Sequence, residues 1–150
     1  MDYEGEVAPA SKDMAKDIPV EEALDHVLGY TCFGDVTERE LAGAPGQLTR
    51  IKGSDTFAPF GPCTATDLDP FGLVVRTHLN GTPVQEGEIR NCVFSLFFMA
   101  HYLSQCMTLL PEELTSTGTP RGIGAMKPGD VVEVTIEGVV TLRDPVKLSG

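Results

Sequence analysis

Residues 127–146, "KPGDVVEVTIEGVVTLRDPV", decide the fold class. Pro128-Gly129 is a turn signal, and after it Val132, Val134 and Ile136 alternate with Glu133, Thr135 and Glu137. That period of two predicts a half-buried strand with its valines inward. A second strand is expected in "VVTL", residues 139–142. Upstream, Leu73, Val75, Thr77 and Leu79 share one face, and Asn80-Gly81 turns the chain toward Val84, which predicts a hairpin.

Outward from these strands the pattern changes. "NCVFSLFFMAHYLSQCMTLL", residues 91–110, places Leu96, Ala100, Leu103 and Met107 at helical spacing, with Phe97, Phe98 and Met99 widening the apolar surface. A buried or interface helix is expected, with His101 in a satisfied core role. "IPVEEALDHVLGYT", residues 18–31, predicts a short helix with Pro19 near its first turn, a stripe of Ala23, Leu24, Val27 and Leu28, and Gly29 as its stop. His26 on it is expected to be solvated or capping. "YTCFGDV" then forms an apolar strand that delivers Asp35 at its end, and residues 41–62 read as one long glycine-rich loop. Residues 7–17 carry neither periodicity, and Pro9 argues against a central strand, so that stretch reads as loose. With strands, two short helices and no regular βαβ alternation, the expected class is α+β and β-rich.

The bulk numbers bound the function. One domain accounts for 150 residues, and 41% hydrophobic with 22% charged residues is ordinary for a globular protein. Eleven basic against twenty-two acidic residues give a net charge of −11, which repels phosphate backbones and anionic lipid. No nucleic-acid or membrane partner is expected. Four cysteines form no CxxC pair, so neither a disulfide framework nor a zinc site is implied, and a cytoplasmic setting is expected.

Only placed carboxylates are then informative. In "MDYEGEVAPASK", residues 1–12, Glu4 and Glu6 are two apart, so on a strand they point to the same side with Gly5 between them. Asp35 can supply a third oxygen, and an all-oxygen set suits Mg²⁺, Mn²⁺ or Ca²⁺ rather than zinc. The alternative is a solvated strand face.

"DYEGE", "EEALDHVLGYT", "GDVTERE", "GQLTRIKGSDTFAPFGP", "HLNGTPVQEG", "YLSQCMTLLPEE", "TGTPRGIG" and "MKPGDVVEVTIEGVVTLRDPV" follow one another from end to end. In that order the chain resembles the fumarylacetoacetate hydrolase family. The resemblance implies a mixed β-sandwich or roll of that family's C-terminal type with short flanking helices, spanning residues 1–150 as one domain. It implies a divalent metal, usually Mg²⁺, on Glu4, Glu6 and Asp35, with Lys52 beside it as the catalytic cation. It further implies that Thr56 lines the site, that Thr119 holds substrate oxygens, and that Arg39 belongs to it. Structural alternatives stand beside these: Lys52 neutralising Asp55, turn-stabilising hydroxyls for Thr56 and Thr119, and pairing of Arg39 with Glu38 or Glu40.

The substrates so implied are 2-oxo acids or acylpyruvates, acted on through an enolate by hydrolysis, isomerisation or decarboxylation in aromatic catabolism, in a homodimer. Three departures qualify the enzyme. Only three residues precede "DYEGE"-type Glu4, where the family carries a segment with a water-activating histidine, so an N-terminally truncated copy is expected. None of His26, His78 or His101 matches that histidine. "VAPASKDM" replaces a continuous apolar strand, and Ala42 stands where many members have glutamine. A non-catalytic remnant that folds and binds a divalent metal is the alternative function.

Overall fold

The computed structural model of the chain describes residues 1–43 and 47–148. Its strands are β1 (Asp2–Tyr3), β2 (Gly5–Ser11), β3 (Val27–Gly34), β4 (Phe60–Ala65), β5 (Val74–Leu79), β6 (Thr82–Glu88), β7 (Gly124–Ala125), β8 (Val131–Ile136) and β9 (Leu142–Pro145). They form a three-stranded sheet β2-β3-β4, a four-stranded sheet β6-β5-β8-β9 and a short β1-β7 pair. Every described ladder is antiparallel. Two helices, α1 (Leu48–Lys52) and α2 (Leu96–Cys106), and short 3₁₀ turns flank them. The α+β, strand-rich class is as expected.

The valine alternation works as read. Val132, Val134 and Ile136 of β8 are buried with Val75 of β5, and they meet Val7, Tyr30 and Cys32 from the other sheet in one core. The β5-β6 hairpin turns at Asn80-Gly81, where φ is 53° and 78°, the left-handed pair that an Asn-Gly turn supplies.

Elsewhere the structure corrects the reading. Residues 5–11 are a strand whose every residue is buried, not a loose stretch. Burial on both faces removes the alternation that would have announced it. Pro9 fits because its carbonyl points outward, accepting from the Thr115 N–H at 3.0 Å, so the N–H it lacks would also have faced away from β3. The helix before β3 is a 3₁₀ segment, Val20–His26, and Val27, Leu28 and Gly29 already belong to the strand. Gly29 is therefore no stop; it admits Ala65, whose carbonyl would lie 2.3 Å from a Cβ there.

The long loop contains α1 and the start of β4, while its residues 44–46, including Gly46, and the Ala42 side chain lie outside those described. The last strand begins at Leu142, because a turn at Gly138 with φ of 87° takes up the preceding valines. α2 begins at Leu96, capped by Ser95, whose hydroxyl accepts from the Phe98 N–H at 3.2 Å. It is not apolar-buried all round: Phe98 and Tyr102 are exposed, and Met107 lies past its end. His101 is satisfied, as expected, through Nδ1 and the Ile18 carbonyl, 2.7 Å apart, but it is half-buried rather than part of the core. No described helix is long and apolar enough to cross a membrane.

Gly5 lets the two sheets approach closely. A Cβ there would meet Thr77 Oγ1 at 2.0 Å and Val134 Cγ2 at 3.3 Å. Gly5→Ala is expected to cost about 2–3 kcal/mol of stability in denaturant unfolding; a loss under about 0.5 kcal/mol would contradict this packing.

Candidate metal centre

Main-chain pairing brings the acidic residues together. Gly5 pairs with Gly34 across β2 and β3, and just beyond that pair the Asp35 N–H donates to the Glu4 carbonyl at 2.8 Å. Glu6 extends from the same face of the chain as Glu4. One carboxylate oxygen from each of Glu4, Glu6 and Asp35 lies within 4.8 Å of the others.

Two cations reach this cluster. Lys52 at the end of α1 donates from Nζ to Glu4 Oε2 at 3.1 Å, to Asp35 Oδ2, and to Thr37 Oγ1 at 2.9 Å. Burial alone would lower the Lys52 ammonium's pKa, but its hydrogen bonds to Asp35 and Glu4 outweigh that and leave it raised. Arg39 pairs with neither Glu38 nor Glu40: its Nη2 donates to Glu4 Oε1 and its Nε to Asp2 Oδ2 at 3.1 Å.

Glu6 differs. It is 1% exposed and, among the described residues, makes no salt bridge. Its Oε2 accepts from the Ser116 hydroxyl and from the Gly118 N–H at 3.0 Å. Burial pushes its pKa up, against the lowering effect of those two donors; Asp35 nearby pushes it further and the Lys52 charge pulls it back, with burial prevailing. Its hydrogen-bond donors are neutral, and the nearby Lys52 charge offsets burial only in part, so the carboxylate stands without a paired cation. With Arg39 matched against Asp2, three carboxylates face one ammonium, and the remaining two negative charges are what one divalent cation cancels. The donor set is all oxygen, as Mg²⁺, Mn²⁺ and Ca²⁺ require, so the residues fit such an ion.

Thr119 bonds to none of the three carboxylates among the described residues; it donates to the main-chain carbonyl of Gly5, between Glu4 and Glu6, at 2.9 Å. Thr56 sits on an exposed turn after α1, with φ of 71°, and among the described residues its hydroxyl makes no hydrogen bond to the three carboxylates. None of the histidines bonds to them: His26 Nδ1 lies 2.6 Å from Asp13 Oδ1, and His101 is engaged with Ile18. Ser116, Gly118, Thr37 and Gln85 were missed from sequence. The only signal was the hydroxyl run Thr115-Ser116-Thr117 before Thr119, which docks along the outer edge of β2 through the Thr117 hydroxyl on the Val7 carbonyl at 2.6 Å.

The family description "Fumarylacetoacetate (FAA) hydrolase C-terminal" matches residues 1–147. The chain belongs to the fumarylacetoacetate hydrolase family. An uncharacterised protein of Archaeoglobus fulgidus is 45% identical over 144 residues, 96% of this chain and 58% of that protein. The structure of a 5-carboxymethyl-2-hydroxymuconate delta-isomerase from Mycobacterium smegmatis superposes with a TM-score of 0.96 at 40% identity, covering 99% of this chain and 59% of that one. A fumarylpyruvate hydrolase from Pseudomonas aeruginosa, solved with Mn²⁺ and pyruvate, gives a TM-score of 0.90 at 32% identity, with 99% and 66% covered. This member of the family therefore spans about three fifths of the length of such relatives, which include isomerases and hydrolases.

Proposed function

We propose that the chain carries the centre of a divalent-metal-dependent enzyme acting on 2-oxo acid or acylpyruvate-type substrates through an enolate. The observation that carries this reading is the meeting of Glu4, Glu6 and Asp35 with two negative charges in excess. Those three residues would hold the ion, Mg²⁺ or Mn²⁺. A bound divalent cation supplies Lewis-acid stabilisation of the negative charge that develops on an enolate oxygen.

The chain's own groups do the rest. Lys52, steadied by Thr37, places a second positive charge at the same point. Arg39 fixes Glu4 by one oxygen and ties it to Asp2. Ser116 and Gly118 hold Glu6 Oε2 and leave Oε1 unclaimed by them. Thr119 is assigned the substrate carboxylate. Thr56 belongs at the rim of the centre by resemblance alone, and so does the homodimeric state.

Among the reactions an enolate serves, isomerisation and decarboxylation need no activated water. Hydrolysis does, and among the described residues no histidine bonds to the three carboxylates. The second reading is a non-catalytic family member that folds and binds metal without turnover.

Thermal unfolding with and without Mn²⁺ or Mg²⁺ tests the ion. At 100 times its dissociation constant the metal is expected to add about 2.7 kcal/mol. No shift at millimolar concentration would overturn the site. Loss of acylpyruvate absorbance and decarboxylation of oxaloacetate, each with and without Mn²⁺, separate the two readings.

A further inference from the structure

Gln85 lies on β6, far in sequence from every residue assigned to the centre, and is 4% exposed. Its side chain reaches the outer edge of β2 at Gly5, between the two glutamates. In an antiparallel strand one residue's N–H and C=O point to the same side, and at Gly5 both point away from β3. The N–H donates to Gln85 Oε1 at 3.0 Å, and the C=O accepts from Thr119 Oγ1 at 2.9 Å.

These partners leave the amide one orientation. Oε1 must face the Gly5 N–H, so Nε2 faces the Pro120 carbonyl at 2.8 Å and Thr119 Oγ1 at 2.8 Å. Flipping the amide would set donor against donor and carbonyl against carbonyl. Thr119 therefore receives an N–H, and its single proton must point away from Gln85, toward an acceptor. Within the protein that acceptor is the Gly5 carbonyl, and a ligand oxygen placed at the hydroxyl would compete for the same proton. Thr119 also lines a cavity of about 500 Å³, bounded by Asn91, Cys92, Gly118 and Arg121 among others.

We infer that Gln85 is a positioning residue that makes the Thr119 hydroxyl an obligate donor to the carboxylate of a 2-oxo acid. This rests on the reading of Thr119 given under Proposed function. A carboxylate has only acceptors to offer, so a hydroxyl of the opposite polarity would repel it. Glutamate at position 85 would still satisfy the Gly5 N–H. It would draw the Thr119 proton inward, however, and turn the hydroxyl's lone pairs to the ligand.

Calorimetry on the full chain tests this with two probes, Mn²⁺ alone and then pyruvate on the Mn²⁺-saturated protein. Gln85→Glu is expected to weaken pyruvate about tenfold while the Mn²⁺ constant stays within about twofold. Thr119→Val is expected to match it, and Thr119→Ser to bind as the unaltered protein does. The double variant Gln85→Glu/Thr119→Val should be no weaker than Thr119→Val alone, because the effect of Gln85 on pyruvate passes through that hydroxyl. Where Gln85→Glu does not fold, Gln85→Met reads the same coupling. Additive losses, unchanged pyruvate binding, or a pyruvate loss that merely follows a loss of Mn²⁺ would overturn the inference. Failure of the unaltered chain to bind Mn²⁺ would instead overturn the metal-dependent reading, and this one with it.

Discussion

Glu6→Gln is expected to weaken Mn²⁺ binding by roughly 100-fold or more, since even partners of metal ligands cost 10–100-fold, while raising the stability of the metal-free protein by on the order of 1 kcal/mol. The opposite signs come from one fact. Glu6 is 1% exposed with no salt bridge among the described residues, and the nearby Lys52 charge does not outweigh its burial, so its charge is a cost until an ion arrives. Glutamine keeps the shape, and its Oε1 can still accept from Ser116 and Gly118.

The pH dependence follows the same sign. Burial raises the folded-state pKa of Glu6 above its ordinary value of 4.5. Below that ordinary value the carboxyl is protonated both folded and unfolded, and the burial contribution is fully present. As pH rises, the unfolded chain gives up its proton first, and stability is lost through the raised folded value. The gap between Glu6→Gln and the unaltered chain should therefore be small at about pH 4 and open by about pH 7. Denaturant unfolding in the presence of a chelator measures both. A variant less stable at neutral pH, or one that binds Mn²⁺ unchanged, would sink the assignment of Glu6.

Much of the acidic centre was legible because strand geometry is simple. Glu4 and Glu6 share a face by period two, and the apolar run before Asp35 marks a strand that ends there. What lay beyond reading was which edge of β2 faces what. Pro9 argues against a strand only if its missing donor is needed, and here it points outward to the Thr115 side. Val27 and Leu28 continue a helical stripe and an extended run equally well, so the helix was drawn too long before β3. The supports of the site were harder still. Ser116 reaches Glu6 across 110 residues, and Gln85 reaches Gly5 across 80. Both side chains are ordinary polar residues in their local sequence; only the docking of the 115–119 segment along β2 gives them a role. Arg39 illustrates the opposite hazard, with two acidic neighbours in sequence and two distant ones, Asp2 and Glu4, in space.

Lys52→Met should separate binding from catalysis. The ammonium contacts Glu4 and Asp35, whose nearest oxygens and that of Glu6 lie within 4.8 Å of one another. At an effective dielectric of about 20, like charges at such a distance repel by about 3 kcal/mol, and the Lys52 charge relieves that repulsion. The side chain is 31% exposed, so solvent screens part of it, and the metal-free variant is expected to lose about 2 kcal/mol. Metal affinity moves the other way. Removing a positive charge that bonds to two of the ion's own ligands is expected to tighten Mn²⁺ by about tenfold, read by calorimetry. Turnover, on whichever of the acylpyruvate or oxaloacetate assays the unaltered chain supports, should fall about 10²–10³-fold, the scale of losing one preorganised donor at a developing oxyanion. Tighter metal with slower chemistry would identify the lysine as a group acting on the substrate's charge. Weaker metal with unchanged turnover would make it a structural counter-ion to Asp35, and the enolate mechanism would lose its second cation.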